Sequence, residues 1–258
     1  MARALITGAT AGIGNTFAQE LAARGLDLVL VARNQERLQR VAAELNEVHG
    51  VDVEVLTADL AIHDEVLRVA DRLESETNPV DTLVNNAGFG LHASLIDPDA
   101  LELHERAMDV MCKAMLILGG AAARAMRARG FGRIINVASS SASIFSGNYS
   151  AIKAWARTWS TSLALEMRGT GVTVTALLPG WVRTEFHQRA GISANLPDFV
   201  WIDAHQLVRE CLADVTRGKV ESIPTIKWKI AVFVADHGPR GFIRWFSRKL
   251  TDSRKKDR

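Results

Sequence analysis

The chain holds one tyrosine, Tyr149, in the run NYSAIK, and Lys153 follows four residues later. If Ala151 to Met167 is helical, that spacing puts both side chains on one face, one turn apart. A phenol beside an ammonium is a way to make an acid/base group that works near neutral pH. A free phenol of this kind titrates at about 10. A cation roughly 5 Å away, at an effective dielectric of about 20, favours phenolate by about 3 kcal/mol, or roughly two pKa units. A group tuned in this way can give or take a proton at working pH. Such a pair also arises by chance, so the stretches before it carry the decision.

Those stretches must supply something for the phenol to act beside. Ala4, Leu5 and Ile6 read as a short buried strand that runs into TGATAGIG, Thr7 to Gly14. Ile13, Phe17 and Leu21 then recur at helical spacing, with Gly25 as a stop. A strand, a glycine turn and a helix N-terminus make an anion site. Gly8 lets the chain turn, Gly12 lets backbone approach a pyrophosphate, and Gly14 lets the helix sit close to the sheet. Gly8, Thr10, Ala11, Gly12, Ile13 and Gly14 are the candidate cofactor-binding residues of this turn.

Leu28 to Ala32 reads as strand two. In many dinucleotide folds an acidic residue ends this strand and holds the ribose 2′-hydroxyl. Here the end is Ala32-Arg33. No carboxylate stands there to repel a 2′-phosphate, and Arg33 can clamp one with paired N–H bonds. The reading is a preference for NADP(H) over NAD(H); the plain alternative is a solvated arginine at a strand end. Asn34 caps a helix carrying Leu38, Val41, Leu45 and Val48. Val51, Val53 and Val55 alternate as strand three and lead to Asp59-Leu60. The Asp59 carboxylate either accepts from an adenine amino group or caps the next helix.

Leu83-Val84 enters NNAG, Asn85 to Gly88. Asn86, Ala87 and Gly88 suit backbone lying against a ribose and nicotinamide, and the amides also suit a turn locked between neighbouring strands. Asp97-Pro98 starts a helix-rich stretch from Leu101 to about Arg129. Ile134 to Val137 is the next strand, and it emerges into Ser139, Ser140 and Ser141. Val172, Val174 and Ala176 form another, ending in PGWVRT, Pro179 to Thr184. Pro179 and Gly180 are expected to bend the chain over a ligand. Strand and helix alternate throughout. That order predicts an α/β fold: a single Rossmann-type doubly wound parallel sheet with ligands at the strand C-terminal ends, where every motif falls.

Composition agrees with one large domain, for 48% of the 258 residues are hydrophobic and 23% charged. The net charge of +2 hides an asymmetry: residues 240–258 hold eight Lys/Arg and two Asp/Glu, a net +6, which leaves the body at −4. Such a body offers no footprint for nucleic acid. Cys112 and Cys211 fit a reduced compartment and have no metal-ligand neighbours, so no metal is expected. No signal segment or transmembrane run is read, and the expected location is cytoplasmic.

Together TGATAGIG, Asp59, NNAG, Asn136 with Ser139 three residues on, YSAIK and PGWVRT resemble the short-chain dehydrogenase/reductase family. The resemblance spans Thr7 to Thr184. It implies a sheet of about seven parallel strands in the order 3-2-1-4-5-6-7. It also implies hydride transfer between a nicotinamide and a carbonyl or alcohol carbon. By the same resemblance Tyr149 protonates the carbonyl oxygen. Lys153 lowers the phenol pKa and holds the nicotinamide ribose, and Ser139 hydrogen-bonds the substrate oxygen. Asp59 with Leu60, Asn86 to Gly88, Pro179, Gly180, Val182 and Thr184 join the cofactor set.

Two departures stand out. Met111 occupies the position where the family usually has an asparagine that helps hold a water linking the lysine to solvent. A thioether is a weak acceptor and cannot donate, so the proton relay must differ or turnover is slow. Ser139 lies ten residues before Tyr149, a shorter loop than the family's, so Ser140 or Ser141 could take the serine role.

The segment from Glu185 to Ile202 lies where the family covers its substrate. Its apolar residues predict a helical lid and a lipophilic carbonyl or alcohol substrate, or else packing of the lid onto its own domain. Asp203 caps a helix that Gly218 ends, and Val220 to Ile223 would be the last strand. Ile226 to Val234 fits helix or strand and is taken as helix. The domain is expected to end near residue 239, followed by a basic amphipathic tail over 240–258. That tail suits either an interfacial helix on an anionic membrane or docking on the body or a second subunit. Docking is the preferred reading, and the expected assembly is a homodimer or homotetramer. A cofactor-binding protein with weak or no turnover remains the alternative function.

Overall fold

The computed structural model describes residues 2–91, 93–183 and 197–256, without the side chains of 250–256. Seven strands form one parallel sheet: β1 (Arg3–Thr7), β2 (Asp27–Ala32), β3 (Val53–Thr57), β4 (Thr82–Asn85), β5 (Gly132–Val137), β6 (Val172–Leu177) and β7 (Glu221–Ser222). Their order is β3-β2-β1-β4-β5-β6-β7, the order implied by the resemblance. The register aligns Leu5 with Val29 on one side and Leu83 on the other. The inner strands are buried on both faces, as an apolar run such as Leu28–Val31 requires.

Helices cover both faces. On one side lie α1 (Gly12–Ala22), α2 (Gln35–His49) and α7 (Ala204–Thr216), around a core that includes Phe17, Leu30, Leu38 and Leu207. On the other lie α3 (His63–Glu74) and α5 (Ala114–Arg129), packed through Val69, Leu73, Leu118 and Met126. The sequence signals act as local punctuation. The Asn34 side chain accepts from the Arg37 amide at 2.8 Å, and the Asp203 side chain accepts from the Gln206 amide at 2.9 Å.

Several boundaries differ from the sequence reading. The helix carrying the tyrosine, α6 (Gly147–Glu166), begins four residues before Ala151. Gly147 turns the chain with φ +71°, and Ser150 Oγ accepts from the Ser146 amide at 3.1 Å, tying that first turn. Tyr149 and Lys153 therefore share one helix. The long helical stretch is not uniform: α4 (Leu101–Met108) passes into a π-helical turn, Asp109–Lys113, before α5. β3 starts at Val53, so Val51 precedes it. β7 has two residues rather than four. The stretch that fitted helix or strand is helix α8 (Ile226–His237), and the tail forms α9 (Arg240–Lys256). α9 docks on the body: Ile243 and Ser247 are buried, and Ser247 Oγ accepts from the Phe145 amide at 3.1 Å.

Candidate functional site

The strand ends open on a cavity of about 1340 Å³. Its first wall is the glycine turn after β1. Gly8 sits at φ +68°, and a Cβ there would lie 2.9 Å from Asn86 Nδ2 and 3.0 Å from Ala87 Cα, so only glycine fits. Thr7 Oγ1 accepts from the Asn86 and Ala87 amides at 2.9 and 3.0 Å. Asn86 Nδ2 donates back to the Thr7 carbonyl at 2.9 Å and the Gly8 carbonyl at 3.3 Å. The amides of NNAG thus lock the ends of β1 and β4 together, while Asn86, Ala87 and Gly88 still line the cavity. Ala11 before α1 is extended and makes no side-chain cap. The first-turn amides of a helix have no partner inside it, and Thr10, Ala11, Gly12 and Ile13 face the cavity. That cradle fits a pyrophosphate. Gly14 is the exception among the candidates: it does not line the cavity, and a Cβ there would strike Asn86 Nδ2 and the Gly8 carbonyl. Its place is close packing of α1 behind the turn.

Arg33 lines the cavity at the end of β2, and Arg37 joins it from α2. The sequence reading missed Arg37, although it falls in the first turn of the helix that Asn34 caps, directly after Arg33. Asp59 and Leu60 line the next edge. Asp59 is not a helix cap: Oδ1 accepts from the Ala61 amide at 3.0 Å and Oδ2 from Arg106 Nη2 at 2.7 Å, while Ile62 precedes α3. Burial acts to raise the Asp59 carboxyl, but the Ala61 amide and Arg106, with the field of Arg33, outweigh it and hold it below the ordinary aspartate range. Arg106 had no sequence signal, because its partner is 47 residues away.

The second wall holds the serine loop, the tyrosine and the lysine. Ser139, Ser140 and Ser141 follow β5, and all line the cavity with Tyr149 and Lys153. Ser139 Oγ accepts from the Ser141 amide at 3.1 Å, which leaves its O–H to donate elsewhere. Ser141 Oγ is itself buried without a partner. Lys153 is buried, donates to the Val137 carbonyl at 2.8 Å and lies 5.7 Å from the centre of the Tyr149 ring. Burial pulls the Lys153 ammonium down to about 8. Burial pushes the neighbouring Cys112 thiol up to about 11, against the pull of Lys153. Cys112 is therefore an uncharged neighbour.

Met111 sits in the π turn, buried in an apolar cluster with Leu91, Ala107 and Ile152. A Cβ on Gly88 would lie 3.0 Å from its sulfur and 3.8 Å from Lys153 Nζ. Met111 and Lys153 thus both border Gly88, with a thioether where the resemblance calls for an amide.

Only part of the third wall was read from the sequence: its Pro179-Gly180 turn and Val182 were, and its helical side, with Trp228, was not. Pro179, Gly180 and Val182 line the cavity, and the Trp228 ring lies directly over Gly180, leaving no room for a Cβ. Trp228 Nε1 donates to the Val200 carbonyl at 3.2 Å. Val232 of α8 and Phe242, Ile243 and Phe246 of α9 complete that side, so the tail is part of the cavity wall. Arg157 on α6 holds this wall to the serine loop, bonding Glu221 at 2.6 and 2.8 Å, Ser143 at 3.0 Å and Asp236 at 3.1 Å. Of the residues read from the sequence, Thr184 and most of the lid, 185–196, lie outside the described residues.

A family model described as short chain dehydrogenase matches residues 2–193. The 3-oxoacyl-(acyl-carrier-protein) reductase of Escherichia coli is 33% identical over 203 residues, covering 75% of this chain and 81% of that protein. A short-chain dehydrogenase from Sphingobium yanoikuyae, solved in complex with NADPH, superposes with a TM-score of 0.82 at 35% identity, over 90% of this chain and 92% of that one. The bulky-bulky ketone specific alcohol dehydrogenase of Comamonas testosteroni gives a TM-score of 0.79 at 30% identity, over 95% of both chains.

Proposed function

Because this chain belongs to the short-chain dehydrogenase/reductase family, whose members are NAD(P)-dependent oxidoreductases acting on carbonyl and alcohol groups, we propose that it reduces a bulky lipophilic ketone or aldehyde with NADPH. The observation that carries this reading is the convergence of Ser139, Tyr149 and Lys153 on the cavity that the glycine turn also lines. The glycine turn and the α1 N-terminus would hold the pyrophosphate. Arg33 and Arg37 would clamp the 2′-phosphate, with no carboxylate at the end of β2 to oppose it. Asp59 and Leu60 would border the adenine. Bound NADPH supplies the hydride.

The residues of this chain supply geometry and the proton. Ser139 donates to the substrate oxygen. Tyr149 passes its phenolic proton to that oxygen as the carbonyl carbon is reduced. Lys153 stabilises the phenolate that remains, because a positive charge beside a phenol favours its ionised form. The substrate side is apolar and aromatic, built from Ile144, Trp181, Trp228, Val232, Phe242 and Phe246. That lining supports a bulky apolar body on the substrate. The Escherichia coli and Comamonas testosteroni relatives are named for a 3-oxoacyl group and for bulky ketones, which supports the same substrate class.

Single-turnover oxidation of NADPH against a panel of 3-oxoacyl thioesters, bulky ketones and long-chain aldehydes tests the proposal. Oxidation by at least one member, faster with NADPH than with NADH, is expected. Met111 favours a second reading, a cofactor-binding protein with little turnover, since the group beside Lys153 cannot donate a hydrogen bond. Tight NADPH binding with no oxidation across the panel is the outcome that would support it.

A further inference from the structure

The cavity wall reaches the surface along the last two helices. Val234, Phe242 and Phe246 all line it and are also exposed, so they form part of its rim. The outer faces of these helices carry more apolar surface. Ile226, Ile230 (60% exposed) and Phe233 (62%) recur at helical spacing along α8, and Trp245 (57%) projects from α9. None of these four belongs to the cavity wall. Exposed apolar residues gathered in this way mark a contact surface.

Charge says what the contact is with. Lys229, Arg240, Arg244, Arg248 and Lys249 stand exposed on α8 and α9, and Lys249 Nζ lies 5.4 Å from the Trp245 ring centre. Asp236 is the one acidic residue between Ile226 and Lys249, and it is engaged by Arg157 at 2.9 Å. A two-fold interface between copies through this face would set its cations against themselves. An anionic lipid surface instead accepts the cations and takes the aromatic rings at headgroup depth. No helix among the described residues is long and apolar enough to cross a membrane, so such contact is peripheral.

We propose that the α8–α9 end of the molecule docks on an anionic bilayer, with the mouth of the cavity facing the lipid. The docking does not depend on which carbonyl is reduced, and its test uses no substrate. Flotation of the full chain with phosphatidylcholine vesicles, with and without about one third phosphatidylglycerol, measures it. Binding to the anionic vesicles at least roughly tenfold tighter than to the neutral ones, and lost in high salt, is expected. Two variants localise it: Ile230→Ser/Phe233→Ser/Trp245→Ser, and Arg244→Glu/Lys249→Glu. Each should lose most of the lipid binding while keeping its NADPH affinity and its mass in solution. Three results would overturn the proposal. The first is equal partitioning of both variants and the unaltered chain, the second is absence of binding to anionic vesicles, and the third is a change in oligomeric state by light scattering in the apolar variant. The last would make the face a subunit interface.

Discussion

Lys153 Nζ lies 5.7 Å from the centre of the Tyr149 ring and is held there by the Val137 carbonyl at 2.8 Å. The lysine thus hangs from the end of β5 while the phenol stands one helical turn away, so sheet and helix together fix the pair. That arrangement places a cation under the phenol without needing the cation to be paired.

The buried lysine makes stability depend on pH in a stated direction. Its pKa falls from 10.5 to about 8 in the folded chain, so the unfolded chain binds the extra proton between those values. Stability contributed by this site therefore rises with pH across that window, and below it the burial penalty is full, about 3 kcal/mol. Lys153→Met removes the penalty but leaves the Val137 carbonyl unpartnered, at about 1–2 kcal/mol. Urea unfolding at pH 7 should show the variant about 1–2 kcal/mol more stable and without the alkaline rise, although inactive. A variant less stable at pH 7, with the slope intact, would mean that the charge is compensated.

Tyr149→Phe should cost about 10²–10⁴ in kcat, the usual range for a lost general acid, with NADPH affinity within about twofold. The serine role can be assigned in the same assay. Ser139→Ala should cost at least tenfold more than Ser141→Ala, because Ser139 has its O–H left to donate, whereas Ser141 Oγ is buried. Equal losses would move the role along the loop.

Arg33→Asp should weaken NADPH binding more than tenfold and NADH binding far less, since a clamp on the 2′-phosphate becomes a repulsive charge. Fluorescence titration of both cofactors reads this directly. Unchanged NADPH affinity would leave Arg33 as a solvated strand end.

Truncation after Pro239 should raise KM for bulky apolar carbonyls about tenfold or more, while NADPH affinity changes little. The cut removes Phe242, Ile243 and Phe246 from the cavity wall and takes Ser247 from the Phe145 amide. If KM holds and only thermal stability falls, the tail braces the fold and does not shape the substrate side.

The sequence by itself determined the sheet and the near side of the cavity. Apolar runs fixed the strands, and the order of strands and helices fixed their parallel winding. Glycines and asparagines marked the turns because the backbone there tolerates few other residues: Gly8 at φ +68° has no room for a Cβ. Such signals are local, so a linear reading finds them. Tertiary structure alone decided the rest. Arg106 reaches Asp59 across 47 positions and Arg157 reaches Asp236 across 79. Trp228 covers Gly180, and α9 folds back to line the cavity. These contacts join residues with no shared period or motif. Which apolar faces meet is settled by packing of the whole chain, where burial rewards shape and area rather than spacing.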